Sequence, residues 1–382
     1  SSPRFVARVL LESTLVRVRG PVPAVRPNLT LMPGTSLPAG YVDSNPDGDD
    51  GRPLSDYDII GSAIERTGLF ALSGVEDLGF VYIPPLSRTQ DIGVSALLVA
   101  ARFCRERRAL LIVDPPASWD TPDAAIERLR QLNFHSDDAV MFFPRIACRD
   151  RLRGRSEIFG NGGAVAGILS RQVTGESALP RPDVEPEPVL RAGVRLSCAV
   201  NGRERARLLA HGINVLQTVR SAQPSPLHLR TLSGGSNASA DWGYLAPRRF
   251  ALTVLNTIER GTRWALATDR GPGVWQQVTR QVTAFMRRLH GAGAFGLLPE
   301  DQAFAVVCDE RLNDAGDPPE VNILVQFASL HSGEHHGFMI SHGMHGSSVR
   351  PVAVNRLETA RAVAEVLERE TPRRMERRQA AV

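Results

Sequence analysis

Histidines are concentrated in one short stretch of this 382-residue chain. Imidazole groups are common zinc ligands, and the carboxylate of Glu334 stands among them. Four glycines interrupt the stretch, so it does not fit the helix on which zinc peptidases place two histidines. We predict a polar strand or loop at an interface, with a metal site as the alternative, for the segment that contains His331, His335, His336, His342 and His345.

Asp114 stands where an α/β enzyme often places a catalytic carboxylate. It follows the apolar run 109–113, and the carboxyl ends of parallel strands form the ligand-binding edge of such sheets. The two prolines after it fit a plain strand end equally well. A metal-dependent α/β hydrolase that uses Asp114 and the histidines above is therefore one functional hypothesis.

Signatures of nucleophilic and nucleotide chemistry are incomplete. No Gly-x-Ser-x-Gly elbow occurs. The turn at 160–163 begins like a dinucleotide fingerprint, but Val165 stands at its third glycine, which favours a structural turn before a helix. The acidic segment 44–51 has the composition of a calcium loop without its bidentate glutamate, which favours a solvated turn. Our leading prediction has no catalytic residue, no cofactor and no metal.

Lysine is absent, so all 45 basic residues are arginine. This excludes a Walker phosphate loop, a protein kinase and a lysine Schiff base. The net charge of +4 is unevenly spread. Residues 1–190 hold 21 arginines against 24 acidic residues, and residues 191–382 hold 24 against 17. An acidic half and a basic half suit a protein that binds copies of itself.

The composition also argues against nucleic acid as a partner, against a membrane anchor and against disulfide bonds. No basic stripe with interleaved aromatic residues occurs, so we expect no nucleic acid. No apolar run reaches the length of a membrane helix, so we expect no membrane anchoring. The cysteines are far apart, which indicates free thiols in a reducing compartment rather than a disulfide or metal site, at Cys104, Cys148, Cys198 and Cys308.

The first half of the chain has the pattern of an α/β protein. Apolar runs at 79–84, 109–113 and 139–143 predict three buried strands. Helical patterns at 92–107 and 121–132 separate them, the second with threonine as N-cap and proline at its first position. Continuous apolar strands alternating with helices predict a parallel sheet covered on both faces.

The second half predicts a mixture of helices and strands. A proline-rich linker at 179–188 precedes a helix at 203–211 and a strand at 213–219. Further helices are predicted at 247–267, 274–290 and 356–370, and further strands at 303–308 and 321–327. No internal repeat is visible.

A series of short motifs, in order, resembles the tail sheath family of contractile phages and phage-like injection systems. The resemblance covers about 260 residues, 51–313, and each motif alone is weak. The motifs lie at 51, 58–61, 68–72, 83–85, 143–145, 162–168, 212–216, 229–232, 241–244, 247–249 and 303–309. The most characteristic ones read LRTL, DWGY and PRR.

The resemblance implies a non-enzymatic subunit that stacks in sixfold rings around an inner tube and contracts to drive the tube through a target envelope. It implies an α/β sandwich domain with a parallel sheet, subtilisin-like in fold but not catalytic, at 51–190. A C-terminal α+β assembly domain would follow at 191–350. Residues 1–50 would form an N-terminal arm, and 351–382 a helix and an arginine-rich tail.

The family's subunits exchange terminal arms that add strands to a neighbour's sheet, which is β-augmentation. Two departures bear on this exchange. The family's N-terminal arm strand is not recognisable before Arg26, and the histidine-rich segment replaces an apolar strand near the C-terminus. The implied partners are further copies of the chain, the inner tube protein, and baseplate and terminator or cap proteins. The implied location is a virion tail or phage-like particle assembled in the bacterial cytoplasm.

We predict subunit contacts at residues of the characteristic motifs and of the C-terminal strands. These candidates are Arg230, Trp242, Tyr244, Arg248, Arg249, Val321, Ile323, Val325, Phe327, Phe338 and Ile340. For the motif residues, a role in the core of the subunit is the equal alternative. Two other functions remain open, the hydrolase above and a sheath-like baseplate or cap component.

Overall fold

A computed structural model describes Leu10, Leu15 and residues 51–352, with gaps at 88–89, 151–153, 172–181, 184, 192, 220–227, 234–240, 267–270, 314–319 and 345. The chain divides into two compact units, Ser1–Pro53 and Leu54–Val382. The predicted solvated turn at 44–51, N-terminal arm at 1–50, and helix and arginine-rich tail at 351–382 fall wholly or mostly outside the described residues. None of the described helices is long and apolar enough to cross a membrane.

The second unit contains eight helices and eleven strands among its described residues. Its helices are α1 (Asp56–Ile60), α2 (Val94–Arg107), α3 (Pro122–Leu132), α4 (Gly162–Arg171), α5 (Gly202–Ala210), α6 (Leu245–Thr262), α7 (Pro272–Gly291) and α8 (Glu300–Ala303). Its strands are β1 (Phe80–Tyr82), β2 (Leu110–Val113), β3 (Ala139–Phe143), β4 (Ile146–Arg149), β5 (Ser156–Phe159), β6 (Arg195–Leu196), β7 (Ile213–Val215), β8 (Phe304–Val307), β9 (Val321–Ala328), β10 (His335–Gly343) and β11 (Gly346–Val352). Short 3-10 segments lie at Gly68–Gly74 and Arg263–Leu266.

A parallel sheet of order β1-β2-β3-β7 forms the centre of the first half. Every residue of β2 and β3 is buried. Alternate side chains of these strands belong to opposite cores, with Leu111 and Met141 on one face and Ile112 and Phe142 on the other. The predicted parallel sheet with both faces covered is therefore confirmed.

Helices cover the two faces of this sheet unequally. Helices α2, α3 and α5 bury residues in one core, and α4 contributes to the other. Local capping defines two of their starts: the Thr121 side chain accepts from the Ala124 amide at 3.2 Å, and Asn201 forms a capping box with Glu204. The proline and threonine signals at the start of α3 are therefore confirmed.

The fourth strand of the parallel sheet, β7, comes from beyond residue 190. It pairs in parallel with β3, Met141 opposite Ile213. The predicted domain boundary at 190 stays a prediction, and the sheet takes strands from both sides of it. The strand predicted at 213–219 ends at Val215.

An antiparallel sheet of order β11-β10-β9-β8 forms the centre of the second half. Strand β9 is buried along its whole length, and one of its faces packs with α6 and α7 in a third core. The apolar stripe of α7 supplies Val278, Val282, Met286 and Leu289 to that core. The histidine-rich segment, predicted as a polar strand or loop, forms most of β10.

A small third sheet of order β5-β4-β6 comes between β3 and β7 of the parallel sheet in sequence. The sequence pattern predicted none of its strands. The helix predicted at 247–267 is also shorter than expected, because α6 ends at Thr262 and a 3-10 segment follows. The structure is thus mixed α/β with one parallel and two antiparallel sheets.

Helix α6 contributes to the cores of both halves. Its first residue, Leu245, packs against the parallel sheet, whereas Phe250, Val254 and Ile258 pack in the core of the antiparallel sheet. Its polar residues also reach the first half. Asn256 accepts from the Arg108 side chain at 2.6 Å and donates to the Arg108 carbonyl at 3.0 Å.

The second polar contact of α6 is an ion pair between Arg248 and the fully buried Asp138. The Arg248 guanidinium donates to Oδ1 of Asp138 from two nitrogens, at 3.0 and 2.5 Å. Arg105 lies 3.5 Å from the other carboxylate oxygen. Since Asp138 is 0% exposed, its charge depends on these guanidinium groups.

We predict that Arg248→Ala lowers the free energy of unfolding by about 3–5 kcal/mol, because it leaves a buried carboxylate with weakened compensation. Urea denaturation monitored by circular dichroism measures this change. The control is Arg102→Ala, which breaks an exposed i,i+4 pair with Glu106 and should cost about 0.5 kcal/mol or less. Equal losses in the two variants would contradict a structural role for the buried pair.

Candidate functional site

The carboxylate of Asp114 lies at the carboxyl end of β2, as predicted, and its oxygens are bound within the subunit. The Tyr82 hydroxyl donates to Oδ2 at 2.7 Å and the Gly162 amide donates to Oδ1 at 2.7 Å. Burial raises the pKa of Asp114, although these hydrogen bonds and the charge of Arg145 act in the opposite direction. Asp114 therefore anchors the start of α4.

The glycine-rich turn at 160–163 closes this region by direct packing. A Cβ atom on Gly162 would lie 2.1 Å from the Tyr82 ring, and one on Gly160 would lie 2.0 Å from Oδ2 of Asp114. Glycine is needed here because tyrosine and carboxylate fill the space that a side chain would take. This geometry supports the structural interpretation of the turn.

The histidines of the 331–345 segment do not converge on one point. His342 is fully buried and its ring nitrogens lie 2.8 Å from Thr262 Oγ1 and 2.7 Å from Ser347 Oγ. His335 contacts the Gln302 carbonyl at 3.1 Å. His331 and His336 lie near the segment 241–244, and His345 falls outside the described residues.

The best-defined cluster of functional groups surrounds Asp241, directly before α6. Its Oδ2 lies 2.6 Å from His336 Nε2 and accepts from the Ser332 hydroxyl at 2.6 Å. Burial alone would raise the pKa of Asp241, but hydrogen bonds from His336 and Ser332 outweigh it and hold the pKa below the usual value. Asp241 is therefore a carboxyl group without access to water whose hydrogen bonds favour its charged form.

Aromatic and cationic groups pack beside this carboxylate. The Trp242 and His336 rings lie 4.2 Å apart, and the Tyr244 and His331 rings lie 3.8 Å apart. The Arg230 guanidinium lies 3.8 Å from the Tyr244 ring centre, on the strand-like bridge that pairs these two residues. Together these contacts join the β9–β10 hairpin to the segment that leads into α6.

The motif residues predicted as contacts between subunits lie at contacts within the subunit. Arg248 pairs with Asp138 and lies over the Trp242 ring at 5.2 Å. Arg249 donates to the Leu169 carbonyl at 3.0 Å, and burial lowers its pKa to about 10. The core alternative therefore describes these residues well, and an interface role for them stays a prediction.

The strand residues among the predicted contacts are buried in the subunit's own core. Each is 5% exposed or less: Val321, Ile323, Val325, Phe327, Phe338 and Ile340. They pack against α6 and α7, which leaves these side chains little surface for a second copy. Any contact along these strands would have to use backbone groups at the edge of the sheet.

Among the described residues, Asp114 and the histidines of the 331–345 segment do not form the predicted hydrolase site. Asp114 contacts Tyr82 and Gly162 at the parallel sheet, whereas His331 and His336 lie around Asp241 at the antiparallel sheet. The sequence patterns did not predict the contact between Asp241 and His336, because these residues are 95 positions apart. The one local indication of this contact is the acidic Asp241 at the start of a motif otherwise rich in aromatic residues.

Two comparisons with known sequences find no match: no family model and no curated protein is similar. Solved structures are similar. A chain of the anti-feeding prophage baseplate, determined by cryo-EM with sixfold symmetry, is 18% identical with a TM-score of 0.52, covering 71% of this chain and 69% of that chain. A chain of the PVC sheath complex in the contracted state, from an extracellular contractile injection system, is 15% identical with a TM-score of 0.51, covering 68% and 69%.

A third solved structure, the sheath tail protein from Desulfitobacterium hafniense, is 13% identical with a TM-score of 0.42, covering 72% of this chain and 59% of that chain. The first two structures define the class: this chain has the fold of proteins found in the sheath and baseplate of contractile injection systems. The resemblance to contractile tail sheath proteins is confirmed at the level of the fold.

We predict that stability falls as the pH drops below about 6.5, partly because of His342. Burial lowers the pKa of His342, outweighing the attraction of Glu259, with Arg108 and Arg263 acting in the same direction as burial. As the pH falls, His342 is therefore protonated in the unfolded chain before it is protonated in the folded chain. Protonation of His342 thus favours unfolding. Above that pH the contribution is constant.

Urea titrations between pH 5 and 8 measure this dependence, and His342→Gln should flatten it. The control variant His335→Gln removes a histidine from the same strand that contacts only a backbone carbonyl among its described hydrogen bonds. A slope that His342→Gln leaves unchanged would contradict the assignment.

Proposed function

We propose that this chain is a structural, non-catalytic subunit of a contractile tail sheath. It polymerises as stacked sixfold rings around an inner tube and contracts to drive the tube through a target envelope. The observation that carries this proposal is the fold shared with chains of a contracted sheath complex and of a baseplate. The motif series at 51–313 supports it independently of the fold.

Contacts between copies would use the antiparallel sheet. Strand β11 is the edge of that sheet and pairs only with β10 among the described residues. Its side chains alternate between exposed and partly buried positions from Gly346 to Val349, and the alternation breaks at Arg350, which is also partly buried. An edge of this kind accepts a further strand through backbone hydrogen bonds, which is the β-augmentation expected for arm exchange.

The absence of lysine affects the side-chain contacts that accompany such strands. Every cationic contact between copies would use a guanidinium, which binds a carboxylate through two parallel hydrogen bonds. The proposed partners are other copies, the inner tube protein, and baseplate and terminator or cap proteins, without nucleic acid or membrane anchoring. The proposed location is a virion tail or phage-like particle assembled in the bacterial cytoplasm.

A sheath-like baseplate or cap component is the second candidate. It is favoured by the similarity to a chain of the anti-feeding prophage baseplate, with a TM-score of 0.52. The two candidates differ in self-assembly, because a sheath subunit polymerises alone into long arrays whereas a baseplate or cap component forms rings of limited size. The hydrolase hypothesis lacks a site, since Asp114 and the described histidines bind different partners.

Negative-stain electron microscopy of the purified full chain at increasing concentration tests the sheath role. We expect hollow tubes or stacked rings with sixfold symmetry in end views. Single rings that never stack would favour the baseplate or cap candidate. A monodisperse monomer at high concentration would contradict both.

A truncation tests the contribution of the C-terminal arm. A chain that ends at Val352 keeps all four strands of the antiparallel sheet and both halves of the core. We expect it to keep its melting temperature within about 2 °C and to lose polymerisation, because backbone hydrogen bonds between copies are removed. The control is a chain that ends at Glu370, which loses only the arginine-rich tail and should still polymerise. Tubes formed by the Val352 truncation would contradict arm exchange through this terminus.

A further inference from the structure

Three potential metal ligands meet at the Asp241 cluster. Asp241 precedes α6, whereas Glu334 and His336 lie at the β9–β10 hairpin and the start of β10. One ligand atom from each side chain lies within 4.8 Å of the other two. Residues from two distant parts of the chain thus present a carboxylate, a second carboxylate and an imidazole to one point.

One buried oxygen of Asp241 lies outside the hydrogen bonds that His336 and Ser332 make to this carboxylate. Its Oδ2 is bound by His336 and Ser332, and the Ser329 side chain also helps to hold the pKa of this carboxyl low. Its Oδ1 is inaccessible to water and forms no hydrogen bond of normal geometry among the described residues. Buried carboxylate oxygens are normally satisfied by hydrogen bonds or by a cation. A carboxylate with such an oxygen, in a cluster with an imidazole and a second carboxylate, has the donor groups to bind a cation.

The chemistry of the three side chains selects the kind of ligand. Two carboxylates and one imidazole form a donor set that matches a divalent cation. Calcium and magnesium prefer oxygen ligands alone, whereas zinc accepts a mixture of imidazole and carboxylate and is commonly held by three protein ligands and a water. Two neighbouring groups orient two of the ligands. The Trp242 ring lies 4.2 Å from the His336 ring, and the Ser332 hydroxyl donates to Asp241.

We propose that Asp241, Glu334 and His336 form a binding site for a zinc ion. The ion joins the β9–β10 hairpin to the segment that leads into α6, and so ties the antiparallel sheet to the helix shared by both cores. This site adds to the proposed sheath role and does not depend on it. Zinc binding would replace the hydrogen bond between His336 and Asp241 with bonds from both residues to the metal.

Isothermal titration of the metal-free full chain with zinc chloride tests the proposal. We expect one zinc ion per chain and a higher melting temperature in zinc than in chelator, because the ion binds the folded form. Cobalt(II) added to the metal-free chain should give the visible absorption of a four-coordinate ion. Absence of stoichiometric zinc binding would overturn the proposal.

Two variants separate this site from incidental binding to surface histidines. Glu334→Gln changes an exposed side chain, so the chain should fold normally without metal, yet zinc affinity should fall about tenfold or more. His335→Gln removes the neighbouring histidine, which contacts Gln302 instead, and should leave zinc affinity unchanged. Unchanged affinity in Glu334→Gln, or an equal loss in both variants, would overturn the assignment.

Discussion

The arrangement of the second unit depends on one buried charge. Asp138 has no access to water, and a carboxylate in that position is tolerated only beside cations and hydrogen-bond donors. Arg248 meets this requirement from a helix 110 residues further along the chain. The ion pair therefore sets where α6 begins relative to the parallel sheet. The contacts of Asn256 with Arg108 hold the same helix at a second point. The position of α6 relative to the first half is therefore fixed at two separate sites.

The parallel sheet was predictable because its central strands are short, continuous apolar runs, as in β2 and β3. Strand β10 was predicted only as a polar strand or loop, since its histidines, serine and glycines give no apolar period. It becomes a strand because all nine of its residues pair with β9, β11 or both. The contacts of Asp241 with His336 and of Asp138 with Arg248 join distant residues, and local patterns carry no signal for such pairs.

The carboxyl edge of the parallel sheet, where a ligand site is expected, is filled by the protein's own groups. At the carboxyl edge of the parallel sheet, where doubly wound proteins bind ligands, Tyr82, Asp114 and the backbone of Gly162 bind one another. A buried carboxylate oxygen without a hydrogen bond of normal geometry lies instead at Asp241, beside the antiparallel sheet. A fold whose usual binding edge is occupied by its own side chains suits a protein that acts through its surfaces and strand edges.

Helix α6 has a mechanical consequence. A helix that packs in two cores and carries buried polar contacts to both cannot shift relative to one half without breaking contacts in the other. Close-packed interiors resist such continuous deformation. The two halves should therefore transmit load as one rigid body, without bending between them. In any array of copies, displacement would be concentrated at the joints between copies, where strands and surface charges meet.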